Sequence, residues 1–253
     1  MNLIQAMILG IVQGVTEFLP VSSSGHLVLF QQWFGFAEPA LVFDTFLHIA
    51  TLLALIIFFG KRLLTFSIKD WLLVGVATLP AVMAAVLFKT QIEALFVHDR
   101  WLGIELIITG LINFYTDYRL NSLAVDKTSD QINWWQSLSV GVAQAVAIIP
   151  GISRSGSTVA GAASLGISRE KAFDFSFLVS IPAILGAAIF QSRDLAQQGV
   201  GQIDWRVWIL GGGAALVTGF YSLKLLKYMM VKAKFEWFGW YCVILGAVVM
   251  MWK

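Results

Sequence analysis

Glu17, Ser22, Ser23, Ser24 and His26 stand close together in an otherwise apolar stretch, Gln13-Gly14-Val15-Thr16-Glu17-Phe18-Leu19-Pro20-Val21-Ser22-Ser23-Ser24-Gly25-His26. A second polar island follows far downstream, Pro150-Gly151-Ile152-Ser153-Arg154-Ser155-Gly156-Ser157-Thr158, reached through Ala145-Val146-Ala147-Ile148-Ile149. Charged groups in sequence this apolar are costly to desolvate, and in a membrane they mark function by default. Together the islands hold what phosphate chemistry requires: hydroxyl nucleophiles, a carboxylate and an imidazole for proton transfer, a fixed cation, and glycines that let backbone N–H groups approach an anion.

Each residue has a reading. The guanidinium of Arg154 is a planar fork of donors matched to phosphate oxygens and suited to charge that develops in phosphoryl transfer. The competing reading, an Arg that snorkels to the interface, fits poorly with apolar sequence on both sides. Gly151, Ser153, Ser155, Gly156 and Thr158 suit an anion nest at a helix N-terminus, with Ser22 and Ser24 as further phosphate contacts. Ser157 and Ala160-Gly161-Ala162-Ala163 suit close helix packing. Glu17 is a base, an orienting partner for His26 or a metal ligand, and Gln13 lies one helical turn before it on the same face. Their oxygen donors suit Mg²⁺ or Ca²⁺. His26 is an acid, base or nucleophile candidate, and Ser22 and Ser23 are competing nucleophiles. His48 one turn after Asp44, and Gln144, are candidates for lining the same cavity. Asp174 suits a structural ion pair with Arg169 or Lys171. His98 reads as a surface residue, and nothing in the sequence explains Glu105.

The elements that must position these groups are membrane helices. Of 253 residues, 58% are hydrophobic and 13% charged, against roughly 25% charged in soluble domains. The mean hydropathy is +0.79. Six segments read as full spans, 39–60, 71–89, 101–117, 172–192, 205–226 and 237–252, the third extending into Thr116-Asp117-Tyr118; Trp71, Trp101, Trp205 and Trp237 open four of them as interfacial anchors. Segments 2–36 and 134–168 are long enough to cross, but Pro20 with Gly25, and Pro150-Gly151 with Gly156, break them midway. Each is expected to be a re-entrant hairpin of two half-helices. The apolar N-terminal run leads into Glu17 and Pro20, so no cleavable signal peptide is expected. A net charge of +2 gives no reason to expect nucleic acid, and a single cysteine, Cys242, excludes an internal disulfide. Gly211-Gly212-Gly213 reads as helix packing because no P-loop residues follow it.

Lys61, Arg62, Lys69, Arg119, Lys127, Arg169, Lys171, Lys224, Lys227, Lys232 and Lys234 fall on one side of this topology, and Lys89, Arg100, Arg193, Arg206 and Lys253 on the other. The richer side is expected to be cytoplasmic. The first hairpin then enters from outside and the second from the cytoplasm. A shift of 131 residues lays Gly10, Gln13, Val15, Ser22, Ser24, Gly25 and Val28 on Gly141, Gln144, Val146, Ser153, Ser155, Gly156 and Val159. The expected fold is therefore an all-α polytopic membrane protein, a single domain over 1–253. It has six transmembrane helices plus two re-entrant helical hairpins in an inverted-topology repeat (repeat one about 1–120, repeat two about 131–253). Such repeats place a site near the bilayer midplane. The same symmetry suits a transporter that moves an anion by alternating access. Against that, Glu17 and His26 have Ile148 and Ser157 as counterparts, so one half supplies acid–base groups and the other the cation.

The two islands resemble the bacitracin-resistance family of undecaprenyl-pyrophosphate phosphatases. The likeness runs through nearly the whole chain and is most specific at Gln13 and Glu17, at Phe18 to His26 and at Pro150 to Thr158. It implies an integral enzyme of the bacterial plasma (inner) membrane that removes the terminal phosphate of a C55 polyprenyl diphosphate, with its site opening mainly to the outer side. It also implies Glu17, Ser23, His26 and Arg154 as catalytic residues, with Ser23 favoured as nucleophile, although a phosphoserine, a phosphohistidine and direct water attack all stay open. A divalent cation is implied too. Many family members carry Glu where this chain has Gln13, which favours one weakly held metal. The expected partners are the lipid substrate and the bilayer, with a homodimer as a further expectation.

Overall fold

The computed structural model describes residues 1–36, 40–97, 101–122, 128–198 and 204–252, so His98 lies outside them. The described chain is nearly all helical: α1 (Leu3–Phe18), α2 (Ser23–Trp33), α3 (Leu41–Phe59), a 3-10 turn (Gly60–Thr65), α4 (Ile68–Leu87), α5 (Lys89–Val97), α6 (Leu102–Ser122), α7 (Trp134–Val146), α8 (Arg154–Ser164), α9 (Arg169–Gln198), α10 (Trp205–Val231) and α11 (Glu236–Trp252). Each of the six expected segments falls largely on a helix, with 71–89 interrupted at Phe88, and both polar islands fall on helix breaks. Helices Leu41–Thr65, Ile68–Leu87, Arg169–Ile189 and Trp205–Val231 are long and apolar enough to cross a membrane. By contrast α6 carries Glu105, Asp117 and Arg119 along its 21 residues, and α11 has 17 residues. The short α5 has no counterpart in the sequence reading.

The helix starts reflect local chemistry. Asn2 caps α1 and Asn133 caps α7 with the same reciprocal box, in which the Asn side chain accepts from the backbone amide of Gln5 or Gln136, the third helical residue, whose own side chain accepts from the cap amide. These boxes are 131 residues apart, the spacing of the repeat. Ser22 and Ser153 cap α2 and α8 in matching fashion, accepting from Gly25 N and Gly156 N.

Packing follows small residues. Helix α1 lies along α10 and α7 along α4. A Cβ on Gly10 would strike the backbone of Gly211, and one on Gly141 the backbone of Ala77. Gly103 and Gly246 bring α6 and α11 together in the same way. Without a hydrophobic drive between helices in lipid, such close backbone approach is the main source of packing energy. Gly211 and Gly212 meet Phe43 and Phe46, which accounts for two of the three glycines in that run.

The basic loops gather at one end of the bundle. Arg62 donates to Asp174 (2.5 Å) and Glu170 (3.3 Å). Lys171 pairs with Asp70 at 3.0 Å. Arg169 donates to the carbonyls of Val231 and Leu120, and Asn121 to that of Ala233. Gln136 in the first turn of α7 donates to Leu165 O just past α8, so both outer ends of the second broken segment lie at this end. Asp174 thus pairs with Arg62, where Arg169 or Lys171 was expected; the side chains of those two residues are taken by carbonyls and by Asp70.

Candidate active site

The helix breaks at 19–22 and 147–153 meet each other, and α6 pins both. Thr109 Oγ1 donates to Gly151 O (2.7 Å) and accepts from Ser153 N (3.0 Å). One turn on, Asn113 Nδ2 donates to Pro20 O at 2.6 Å. Ser155 Oγ donates across to Leu19 O at 3.1 Å. Backbone groups freed where a helix breaks must find such partners when buried. Thr109 and Asn113 escaped the sequence reading; their i, i+4 spacing on an apolar span was the available signal. Gly151 has φ +82, and a Cβ there would press on Glu105, so that carboxylate sits against the turn of the second island.

Glu17 is the hub. It lies in the last turn of α1, and its side chain is 1% exposed. Arg154, the first residue of α8, donates to Oε1. Ser23 Oγ, at the start of α2, donates to Oε2 at 2.5 Å. Gln13 Nε2 donates to the same oxygen at 3.0 Å. His48 Nε2 lies 3.5 Å from it, while its Nδ1 donates to Asp44 O. Three helices beyond α1 therefore supply partners to one buried carboxylate. An ion pair taken out of water holds only when further hydrogen bonds satisfy it, as they do here. A hydroxyl donating to a buried carboxylate is the arrangement of a nucleophile and its base.

His26 is elsewhere. Its Nδ1 lies 2.7 Å from Ser22 O and its Nε2 2.7 Å from Tyr241 Oη. The expected contact with Glu17 is made instead by His48, placed there because α3 packs against α1. Ser22 has φ 70 and ψ 96, a conformation that costs a non-glycine residue about 1–3 kcal/mol. Ser22 and Ser24 hydroxyls are 3.4 Å apart and those of Ser153 and Ser155 3.2 Å apart. Gly156 lies against Pro20 and Asn113. Thr158 Oγ1 donates to the carbonyl of Arg154. A small cavity beside the ion pair is lined by Glu17, Arg154, Ser155, Thr158, Ser176 and Ser180, among others. Ser176 Oγ is buried there without a partner, a polar group that the sequence reading missed. Gln144 is buried with its amide unpaired and is not among the residues lining this cavity. A larger depression at Phe114, Asp117 and Glu236 contains none of the site residues.

The family model of the bacitracin resistance protein BacA matches residues 6–248. The chain belongs to the BacA family. Relatives named undecaprenyl-diphosphatase align along nearly the whole chain. The protein of Carboxydothermus hydrogenoformans is 43% identical, covering 99% of this chain and 97% of its own. Those of Halothermothrix orenii and Methanobrevibacter smithii are each 37% identical, covering 99% of this chain and 98% of their own. The chain is accordingly a multi-pass membrane protein.

A divalent cation was expected at Gln13 and Glu17. Gln13 Oε1 is buried and accepts no hydrogen bond, leaving an oxygen donor beside the carboxylate, and an oxygen-only set fits a hard cation. Among the described residues no three His, Cys, Asp or Glu side chains converge.

Proposed function

We propose that this chain is an undecaprenyl-diphosphatase that hydrolyses the terminal phosphate of a C55 polyprenyl diphosphate, yielding undecaprenyl phosphate and inorganic phosphate and so recycling the lipid carrier of cell-wall synthesis. One observation carries the reading: Ser23 Oγ stands 2.5 Å from a buried Glu17 oxygen while the Arg154 guanidinium holds the other.

In this reading Ser23 Oγ attacks the terminal phosphorus and Glu17 takes the hydroxyl proton. The bond from phosphorus to the bridging oxygen breaks, and undecaprenyl phosphate leaves with that oxygen. Glu17 passes its proton to the departing undecaprenyl phosphate and is a carboxylate again; water then attacks the phosphoserine, Glu17 accepts the water proton and returns it to Ser23 Oγ as phosphate departs. Arg154 binds the non-bridging oxygens through guanidinium nitrogens not used on Glu17, a contact that strengthens as charge develops. Ser22, Ser24, Gly151, Ser153, Ser155, Gly156 and Thr158 shape the phosphate side. Glu17 and Gln13 Oε1 would hold a divalent cation, Mg²⁺ or Ca²⁺, which would neutralise charge on the diphosphate.

The full arrangement is six spans with two re-entrant hairpins in inverted repeats, about 1–120 and 131–253. The capping boxes 131 residues apart and the shared end of α7 and α8 support it. The end that gathers Arg62, Arg169 and Lys171 faces the cytoplasm by the positive-inside rule, and the site opens to the outer face of the plasma membrane.

The test is phosphate release from a C55 diphosphate by purified protein, with and without EDTA. Wild type should turn over, EDTA should slow it, and Ser23→Ala should abolish it. Wild type that releases no phosphate would sink the reading.

A further inference from the structure

His26 has the chemistry of an acid, a base or a nucleophile, yet its bonds commit it elsewhere. A carbonyl oxygen only accepts, so Nδ1, 2.7 Å from Ser22 O, carries a proton and donates it. In the neutral ring Nε2 is then the acceptor, and Tyr241 Oη donates to it at 2.7 Å. The two rings lie 8° from parallel with centroids 5.7 Å apart. Both nitrogens of a residue that is 3% exposed are therefore used, and neither is spent on Glu17, Ser23 or Arg154.

The carbonyl that His26 grips belongs to Ser22, the strained residue with φ 70. That carbonyl also accepts the His26 backbone N–H at 3.3 Å. Ser22 immediately precedes Ser23, so its torsions set where the Ser23 hydroxyl points, and that hydroxyl reaches Glu17 at 2.5 Å. Strained backbone persists only where surrounding bonds over-determine it. Tyr241 comes from α11, whose next residue, Cys242, also touches the first break at Pro20 O (3.8 Å). Helix α11 thus braces the first island through Tyr241 and Cys242.

We infer that His26 is a positioning residue whose Nδ1–H clamps the Ser22 carbonyl and holds the strained turn that aims Ser23 at Glu17, and that Tyr241 is the second positioning residue, fixing the imidazole through Nε2. This rests on the phosphatase reading with Ser23 as the attacking hydroxyl.

Two isosteric substitutions separate the roles. An Asn side chain places its amide nitrogen where Nδ1 lies, and a Gln side chain places it where Nε2 lies. His26→Asn can still donate to Ser22 O; His26→Gln and His26→Ala cannot. On C55 diphosphate, His26→Asn should exceed both other variants in kcat by at least about tenfold, the worth of one good hydrogen bond. Its pH profile of kcat/KM should keep both limbs of the wild-type curve, because a clamp does not titrate in turnover. Tyr241→Phe keeps the ring and loses only the hydroxyl; it should lower kcat about fivefold with KM nearly unchanged, since the lost bond acts through Ser23 and not on bound lipid. Equal loss in the Asn, Gln and Ala variants, each checked for folding by thermal unfolding in detergent, would overturn the clamp, as would disappearance of a pH limb in His26→Asn. Wild-type kcat in Tyr241→Phe would overturn the role of Tyr241. Inactive wild type would instead remove the phosphatase reading, and with it this inference.

Discussion

At Glu17 a single carboxylate satisfies Arg154, Ser23 and Gln13 and faces His48. Removing one member should expose how the rest depend on it. Arg154→Lys keeps the charge but loses the fork, and kcat for phosphate release should fall by about a hundredfold or more, the usual cost of losing a transition-state donor. Arg154→Ala should do this and also leave Glu17 buried without its cation, lowering stability by about 3–5 kcal/mol. Near-normal turnover in either purified variant would remove Arg154 from the phosphate site. Gln13→Glu supplies a second carboxylate beside Glu17 and should tighten divalent-metal binding while retaining activity. A metal titration that does not move would take Gln13 out of the coordination shell. Glu17 and Arg154 stood out by type in apolar sequence, whereas type left Ser22 and Ser23 as competing nucleophiles and only the family resemblance favoured Ser23. Partnership was not readable. Sequence spacing paired Glu17 with His26, whereas α3 delivers His48 and leaves His26 on Ser22 and Tyr241.

At the scale of elements, glycines decide how close the helices come. Gly10→Leu and Gly141→Leu would each drive a side chain into the backbone of a neighbouring helix. Overpacking costs about 1–3 kcal/mol, and backbone obstructs more stubbornly than a side chain, so both variants should lower the unfolding temperature in detergent. Gly213 meets nothing within 4 Å, so Gly213→Ala should match or exceed wild type. Equal losses at all three positions would reduce the close contacts to a generic intolerance of glycine replacement. The helices were largely legible because continuous apolar runs have few other outcomes in a membrane. The breaks were legible because Pro20 and Pro150-Gly151 cannot continue a helix. Thr109 and Asn113 were not, because a polar pair on an apolar helix says nothing about which carbonyls it will meet.

For the whole molecule the prediction is sidedness. Ser24 is partly exposed at the first break. With Cys242 replaced, Ser24→Cys should react with a membrane-impermeant thiol reagent added outside intact cells, and a diphosphate analogue should protect it. Labelling only from the cytoplasmic side would reverse the orientation. Equal labelling from both faces would favour a transporter of polyprenyl phosphate.

By itself the sequence determined the helical membrane class, the two broken segments and which polar residues stand out in them, and the resemblance of its two motifs gave the family. The class, the breaks and the polar islands follow from composition, from proline and glycine, and from the cost of placing charge in apolar surroundings, all of which act locally. The tertiary structure decided which groups meet. Glu17 and Arg154 are 137 positions apart, and His26 and Tyr241 are 215 apart. Contacts at such separations depend on helix crossing and on which faces small residues allow to approach, and no local pattern encodes that geometry.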